Sequence, residues 1–401
     1  MTQRGERFFG WQVVAAAGVL AMFTWGINFY GPSVYLHALH AREGWSATLI
    51  SAAITLHFLA SGAVVMGLPA LHRRFGVVAV TRAGMLACSV GVLGWGYAAA
   101  PWHLVPSALL TAAGWAVTSG AAINTLVSPW FDRRRPEALA MAYNGASIGG
   151  VVFVPVWALL IGAIGFGPAT AAVAAATVLV TWPMAGRWFG PTPGTMRLHP
   201  DGAAQAPPPR PTPPPPRPLW RQAPFRSLSM AFALGLTAQM GLLTVMFSIM
   251  APSLGEAGAG LAMSLATACA IIGRTAVGML LPPAADRRLV GVANFLLQAV
   301  GSAVLAAAGS SPGLLLAGAV LFGLGIGNLL SLPPLIAQSE WPAGQVARVV
   351  AMVTAVNQAF YAFGPGVFGV VLEAWGAWAP PVVAGVLQVA AAAVLAVGRR
   401  R

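Results

Sequence analysis

The stretch GLAMSLATACAIIGRTAVGMLL, from Gly260 to Leu281, decides how the rest of the chain is read. A helix needs about 20 apolar residues to cross the ~30 Å hydrocarbon core of a bilayer, and this run supplies them. It carries a single charge, Arg274. A guanidinium at membrane depth is costly, so it faces a polar cavity, finds an anion or reaches for the interface. No other apolar run holds an Asp, Glu or Arg near its middle. The sequence therefore offers Arg274 no obvious internal partner.

The whole chain repeats this pattern. Of 401 residues, 58% are hydrophobic and 8% charged, with a mean hydropathy of +0.76. Soluble domains carry roughly a quarter charged residues. Alternating ten-residue segments, the mark of an outer-membrane barrel, are absent. The expected fold is an all-α polytopic membrane protein with twelve transmembrane helices. Expected spans are 10–31, 47–68, 77–99, 103–128, 138–162 and 165–188, then 228–250, 260–281, 289–308, 313–337, 346–370 and 376–398.

The net charge of +13 comes from 22 basic residues, every one an arginine. They cluster between apolar runs rather than on a soluble domain, which argues for membrane topology and against nucleic acid. With the N-terminus inside, Arg4, Arg7, Arg73, Arg74, Arg82, Arg133–Arg135, the arginines of the central loop, Arg287, Arg288, Arg348 and Arg399–Arg401 are all cytoplasmic. Only Arg42 falls outside. Both termini are thus expected in the cytoplasm of a plasma membrane, the inner membrane in a bacterium. The N-terminal segment imitates a signal peptide but reads as a retained first helix. Cys88 and Cys269 lie inside apolar runs and form no disulfide framework or metal site.

The middle is different in kind. Residues 191–224 are proline-rich, including an almost unbroken run from Pro207 to Pro218. Such backbone is extended and builds no core. The expected organisation is a six-helix bundle over 1–188, a Pro-rich cytoplasmic linker over 189–227, and a second six-helix bundle with a basic tail over 228–401. The halves echo each other. Gly62 and Gly67 precede Arg73-Arg74, and Gly273 and Gly278 precede Asp286-Arg287-Arg288. Two pseudo-symmetric six-helix halves suit a secondary transporter.

Several segments resemble the major facilitator superfamily, and within it the monocarboxylate transporter and oxalate/formate antiporter branch. They are Gly44-Trp45-Ser46 before span 2, the run from Trp130 to Ala140 leading to Asn144, Gly145, Gly149 and Gly150, and Ile272-Gly273-Arg274 with Gly278, Asp286 and Arg287. Gly364-Pro365-Gly366 and Gly376-Ala377-Trp378 complete the likeness. The resemblance implies alternating access around a midplane site. Two departures stand out. In the loop after span 2, Arg73 stands where the family pattern has an acid. Span 11 offers Asn357, Gln358 and Tyr361 where oxalate carriers of the branch have a lysine. A single buried cation suits a monoanion.

From these residues the expected function is transport of a small organic anion of the lactate or pyruvate kind, with Arg274 as carboxylate anchor. Asn357, Gln358, Tyr361, Gln239 and Asn124 are candidate ligand contacts, although such amides also glue helices together. His57, in span 2, is a candidate proton carrier. Arg73, Arg74, Asp132, Arg133, Arg134, Arg135, Asp286 and Arg287 are candidate gate and topology elements. Proton symport, anion exchange and uniport all stay open. Two other readings are efflux of amphipathic compounds and a receptor or scaffold acting through the Pro-rich loop. No nucleophile–His–acid set, phosphate loop or metal cluster is present in the sequence, so neither an enzyme nor a cofactor is expected. The bilayer, the solute and a co-transported proton are the expected partners of a monomer.

Overall fold

The computed structural model describes residues 8–203, 218–280 and 285–398. Most of the Pro-rich run, with the docking role considered for it, lies outside these residues, as do Arg4, Arg7, Arg210, Arg217 and Arg399–Arg401. Among the described residues, eleven helical stretches are long and apolar enough to cross a membrane. In chain order they are α1 (Phe9–Glu43), α2 (Ala47–Phe75), α3 (Val77–Gly96), α4 (Pro101–Trp130), α5 (Glu137–Ile164), α6 (Phe166–Trp188), a double-length stretch from Ala223, α9 (Arg287–Ala307), α10 (Pro312–Glu340), α11 (Arg348–Trp375) and α12 (Ala379–Val397).

The double-length stretch, Ala223–Leu280, breaks at Gly255, where φ is +70° and ψ 167°. A side chain there would be strained, so glycine makes the reversal possible. The stretch is therefore two spans, α7 (223–254) and α8 (256–280), and eleven plus one gives the twelve expected. The expected spans leave a loop over 251–259, yet helix runs up to the break from both sides, through Pro252. Span 1 is also longer than expected. A π-helical turn at Gly26–Tyr30 lets the helix continue through Gly31 and Pro32 to Glu43.

Apolar helices with scattered hydroxyls must satisfy those hydroxyls internally. Thr24, Thr118, Thr177, Thr181, Thr244 and Thr267 each donate to the carbonyl four residues back, at 2.7–2.9 Å. The start of α9 is capped by Asp286, whose carboxylate accepts from the N–H groups of Arg288 and Leu289 at 2.9 and 3.3 Å.

The chain forms two compact units. The first comprises Met1–Gly31, Ala60–Phe153 and Ala163–Arg210. In it α1 meets α4 and α5 through aromatic pairs, Trp25–Trp115 at 4.7 Å and Phe23–Phe153 at 5.2 Å. The second comprises Pro32–Leu59, Val154–Gly162 and Pro211–Arg401. Its core gathers Phe225, Phe232, Phe295, Leu332, Ile336, Val353 and Leu395.

Candidate substrate-binding and gating residues

Arg274 lies on α8, where the helix touches α10 backbone to backbone. A Cβ on Gly273 would sit within 2 Å of the Leu324 carbonyl oxygen, so only glycine fits. A Cβ on Gly327 would meet the Arg274 Cβ at 3.1 Å, which places the arginine stem on the glycine surface of α10. The side chain is half-buried. It makes an interaction within the protein, so it is not the partnerless cation that the sequence suggests.

The other candidates divide between the units. Gln239 on α7 is buried and accepts from Gln298 Nε2 of α9 at 3.2 Å. Asn357 on α11 is buried, and its Oδ1 has no hydrogen-bond partner among the described residues. Gln358 and Tyr361 are half-buried on the same helix. The structure brings Tyr361 to α2: the Phe58 ring lies 6.0 Å from the tyrosine ring and 4.9 Å from that of buried His57. These residues, with Arg274, belong to the second unit. Asn124 belongs to the first. It is exposed near the end of α4, where its Oδ1 accepts from Ser128 Oγ.

The arginine-bearing helix ends are more organised than their sequence suggests. Arg73 and Arg74 are exposed at the end of α2, with the Arg74 guanidinium 5.1 Å from the Phe75 ring. Arg135 lies 3.8 Å from Asp132. Arg134 forms a fork with Glu137, two hydrogen bonds of 2.9 Å, and stacks over Trp11 at 4.7 Å. The Glu137 hydrogen bond raises the Arg134 guanidinium above its ordinary range. Asp201 closes this region, its carboxylate accepting from the backbone N–H groups of Asp132, Arg133 and Arg134 at 3.1, 2.7 and 3.3 Å.

Arg287 is half-buried, but its neighbour Arg288 is the residue the fold invests in. Arg288 is 2% exposed. It donates through Nε and Nη2 to the Glu340 carboxylate at 2.5 and 2.9 Å, to Ser227 Oγ at 2.9 Å and to the Pro224 carbonyl at 2.9 Å. Four helix ends, of α7, α9, α10 and α12, meet at this cation, which also reaches the Leu395 carbonyl at 3.4 Å. Sequence reading missed Glu340, Glu137 and Asp201 as partners. For Glu137 and Glu340 the available signal was an acid beside a span end; Asp201, 13 residues beyond the end of α6, gave none.

At the opposite helix ends, His37 of α1 lies 3.6 Å from Glu256, one residue past the Gly255 break. Glu373 of α11 accepts the Thr48 N–H of α2 at 2.9 Å. A further polar seam runs behind α9. Asn294 donates to the Gly325 carbonyl, Asn328 donates to Asn294, and Ser302 donates to Gln388. Among the described residues no three of His, Cys, Asp and Glu group as a metal site.

Among the described residues, twelve apolar helices and the arginine-bearing loops between them define a polytopic membrane protein, and comparison with known proteins narrows the class. The sequence profile described as Major Facilitator Superfamily matches residues 13–283, and the chain belongs to that family. In structure it is similar to a bacterial homologue of the human lysosomal transporter Spinster, solved in an inward-facing and occupied conformation. The TM-score is 0.68 at 15% identity, over 98% of this chain and 97% of that one. It is also similar to a point mutant of the nucleoside transporter NupG, with a TM-score of 0.75 at 12% identity, over 97% and 100%. At these identities the likeness is one of fold. No curated protein matches the chain by sequence. The protein is an integral membrane transporter of a small-molecule substrate and not an enzyme.

Proposed function

We propose that the chain is a secondary transporter of small organic anions, with monocarboxylates of lactate or pyruvate size as its substrates. This places it with the monocarboxylate and oxalate/formate carriers of the superfamily. The observation that carries the reading is Arg274: a half-buried guanidinium in the body of an apolar helix, its stem seated on Gly327. Its planar fork matches a carboxylate in two parallel hydrogen bonds, and the low-dielectric surroundings strengthen them. Asn357, whose buried Oδ1 has no hydrogen-bond partner among the described residues, and Gln239, Gln358 and Tyr361 of the same unit are the neutral polar groups available to a solute's hydroxyl or carbonyl.

The bundles over 1–188 and 228–401, joined by the linker over 189–227, alternate access as a monomer. The arginine-bearing helix ends face the cytoplasm of a plasma or bacterial inner membrane, with both termini there. Arg73, Arg74, Asp132–Arg135, Asp286 and Arg287 belong to the gate on that side. The nine acidic residues lie in loops, in the N-terminal segment or close to span ends. A coupled proton is therefore carried by His57 or by the substrate itself. Uptake of labelled lactate and pyruvate into proteoliposomes, with and without an inward proton gradient, tests this. Accumulation only with the gradient establishes symport, and uptake indifferent to it establishes exchange or uniport. Absence of uptake in competent vesicles removes the monocarboxylate assignment.

A further inference from the structure

The helix ends opposite the arginines carry a contact that the transport reading alone does not explain. The pairs Thr48–Glu373, Ser51–Gly369, Thr55–Gly366 and Phe58–Tyr361 step down α2 and α11 in antiparallel register. The first and third are helix caps exchanged between the two helices. The first turn of any helix leaves N–H groups without an internal acceptor. At the start of α2, Leu49 N–H donates to Ser46 Oγ at 3.2 Å, a local cap, but Thr48 N–H donates to Glu373 Oε2 at 2.9 Å. The last part of α11 restarts at Gly364 after a break, and its Gly366 N–H donates to Thr55 Oγ1 of α2 at 2.9 Å. Each helix start thus borrows an acceptor from the other.

We infer that Glu373 is a detachable helix cap, the latch of a two-helix gate at the ends of α2 and α11. The inference rests on the alternating-access reading, because that mechanism requires these ends to separate. On separation, α2 loses the carboxylate at its positive end and α11 loses the Thr55 hydroxyl. Ser51, fully buried in the closed pair and packed on Gly369, becomes exposed. Glu373 is suited to a latch because its bond to Thr48 lies at the exposed end of the pair, where water can take over both partners.

The test needs no substrate and no assumption about orientation. In detergent-solubilised full-length protein, Ser51→Cys is labelled with a charged maleimide, alone and combined with Glu373→Ala or Glu373→Gln. Loss of a cap makes Ser51→Cys label about two- to thirtyfold faster with Glu373→Ala. Glu373→Gln keeps an acceptor oxygen without the charge, so its increase is smaller. Equal rates in all three overturn the latch while leaving the gate intact. Complete protection in all three, with full labelling after denaturation, overturns the opening of this face and with it the alternating-access reading. Where Glu373→Ala does not fold, Thr55→Ala removes the second cap and is read by the same criterion.

Discussion

At the residue scale, two arginines show how differently a membrane protein can hold a guanidinium. Arg288 is wholly enclosed and its hydrogen-bonding capacity is absorbed by Glu340, Ser227 and two carbonyls. Arg274 is half-buried on a glycine surface, in the body of its span. The first arrangement is structural. Removing one partner of a buried ion pair strands the other, at about 3–5 kcal/mol. Glu340→Ala should therefore lower the melting temperature in detergent markedly, whereas Arg288→Met with Glu340→Leu should recover much of the loss. A double variant as unstable as the single one would show that the carbonyl contacts, not the ion pair, hold these helix ends. Arg274 was legible in the sequence because a lone charge in an apolar run stands out. The Arg288–Glu340 pair was not, since its members are 52 positions apart and each lies at a span end where charge is ordinary.

At the element scale, hydropathy located the spans but not their continuations. Where α1 outruns its expected span, the extension to Glu43 mixes polar residues with buried Val34, Tyr35, Leu36 and Leu39, too short an apolar run for hydropathy to mark. The union of α7 and α8 likewise depends on one backbone angle at Gly255. The α2–α11 pairing was equally hidden, for its contacts join residues more than 300 positions apart. It yields a direct prediction. A Cβ on Gly366 would lie 3.7 Å from the Thr55 Cβ, inside the ~3.5–4.5 Å range for a disulfide. Thr55→Cys with Gly366→Cys should cross-link on mild oxidation and stop transport, with recovery on reduction. Full transport by the oxidised protein would show that these ends need not part. Behind α9, Gln298 Oε1, Asn328 Oδ1 and Gln388 Nε2 are buried without hydrogen-bond partners among the described residues. Unsatisfied groups of this kind cost about 1–3 kcal/mol each, which internal water relieves. Gln388→Leu, losing one such group and one bond to Ser302, should thus be nearly neutral in thermal stability. A large loss would mean that Gln388 is held by more than its bond from Ser302.

At the scale of the whole molecule, composition alone was enough for the fold class, because a chain with 8% charge and repeated apolar runs has few alternatives. The compact units are discontinuous in sequence, with 32–59 and 154–162 belonging to the second, and only three-dimensional packing reveals this. The Pro-rich segment tests the role of the linker. Deletion of residues 205–218 should leave transport within about twofold of the intact chain, as expected of a spacer with no core of its own. Loss of transport by a well-inserted deletion variant would instead mark the segment as a docking element. The substrate is the part least legible from sequence or fold, since the superfamily hosts many chemistries on one frame. Its determination therefore turns on Arg274. A carboxylate held by a half-buried guanidinium gains about 1.5–3 kcal/mol per charge-assisted hydrogen bond. Loss of one such bond is worth roughly 10- to 100-fold in affinity. The most direct measurement is proteoliposome uptake of labelled lactate and pyruvate by wild type and Arg274→Gln at matched amounts of folded protein. Saturable uptake by the wild type and a loss of at least about tenfold in the variant are expected. Undiminished uptake by folded Arg274→Gln would contradict the role of Arg274 as carboxylate anchor.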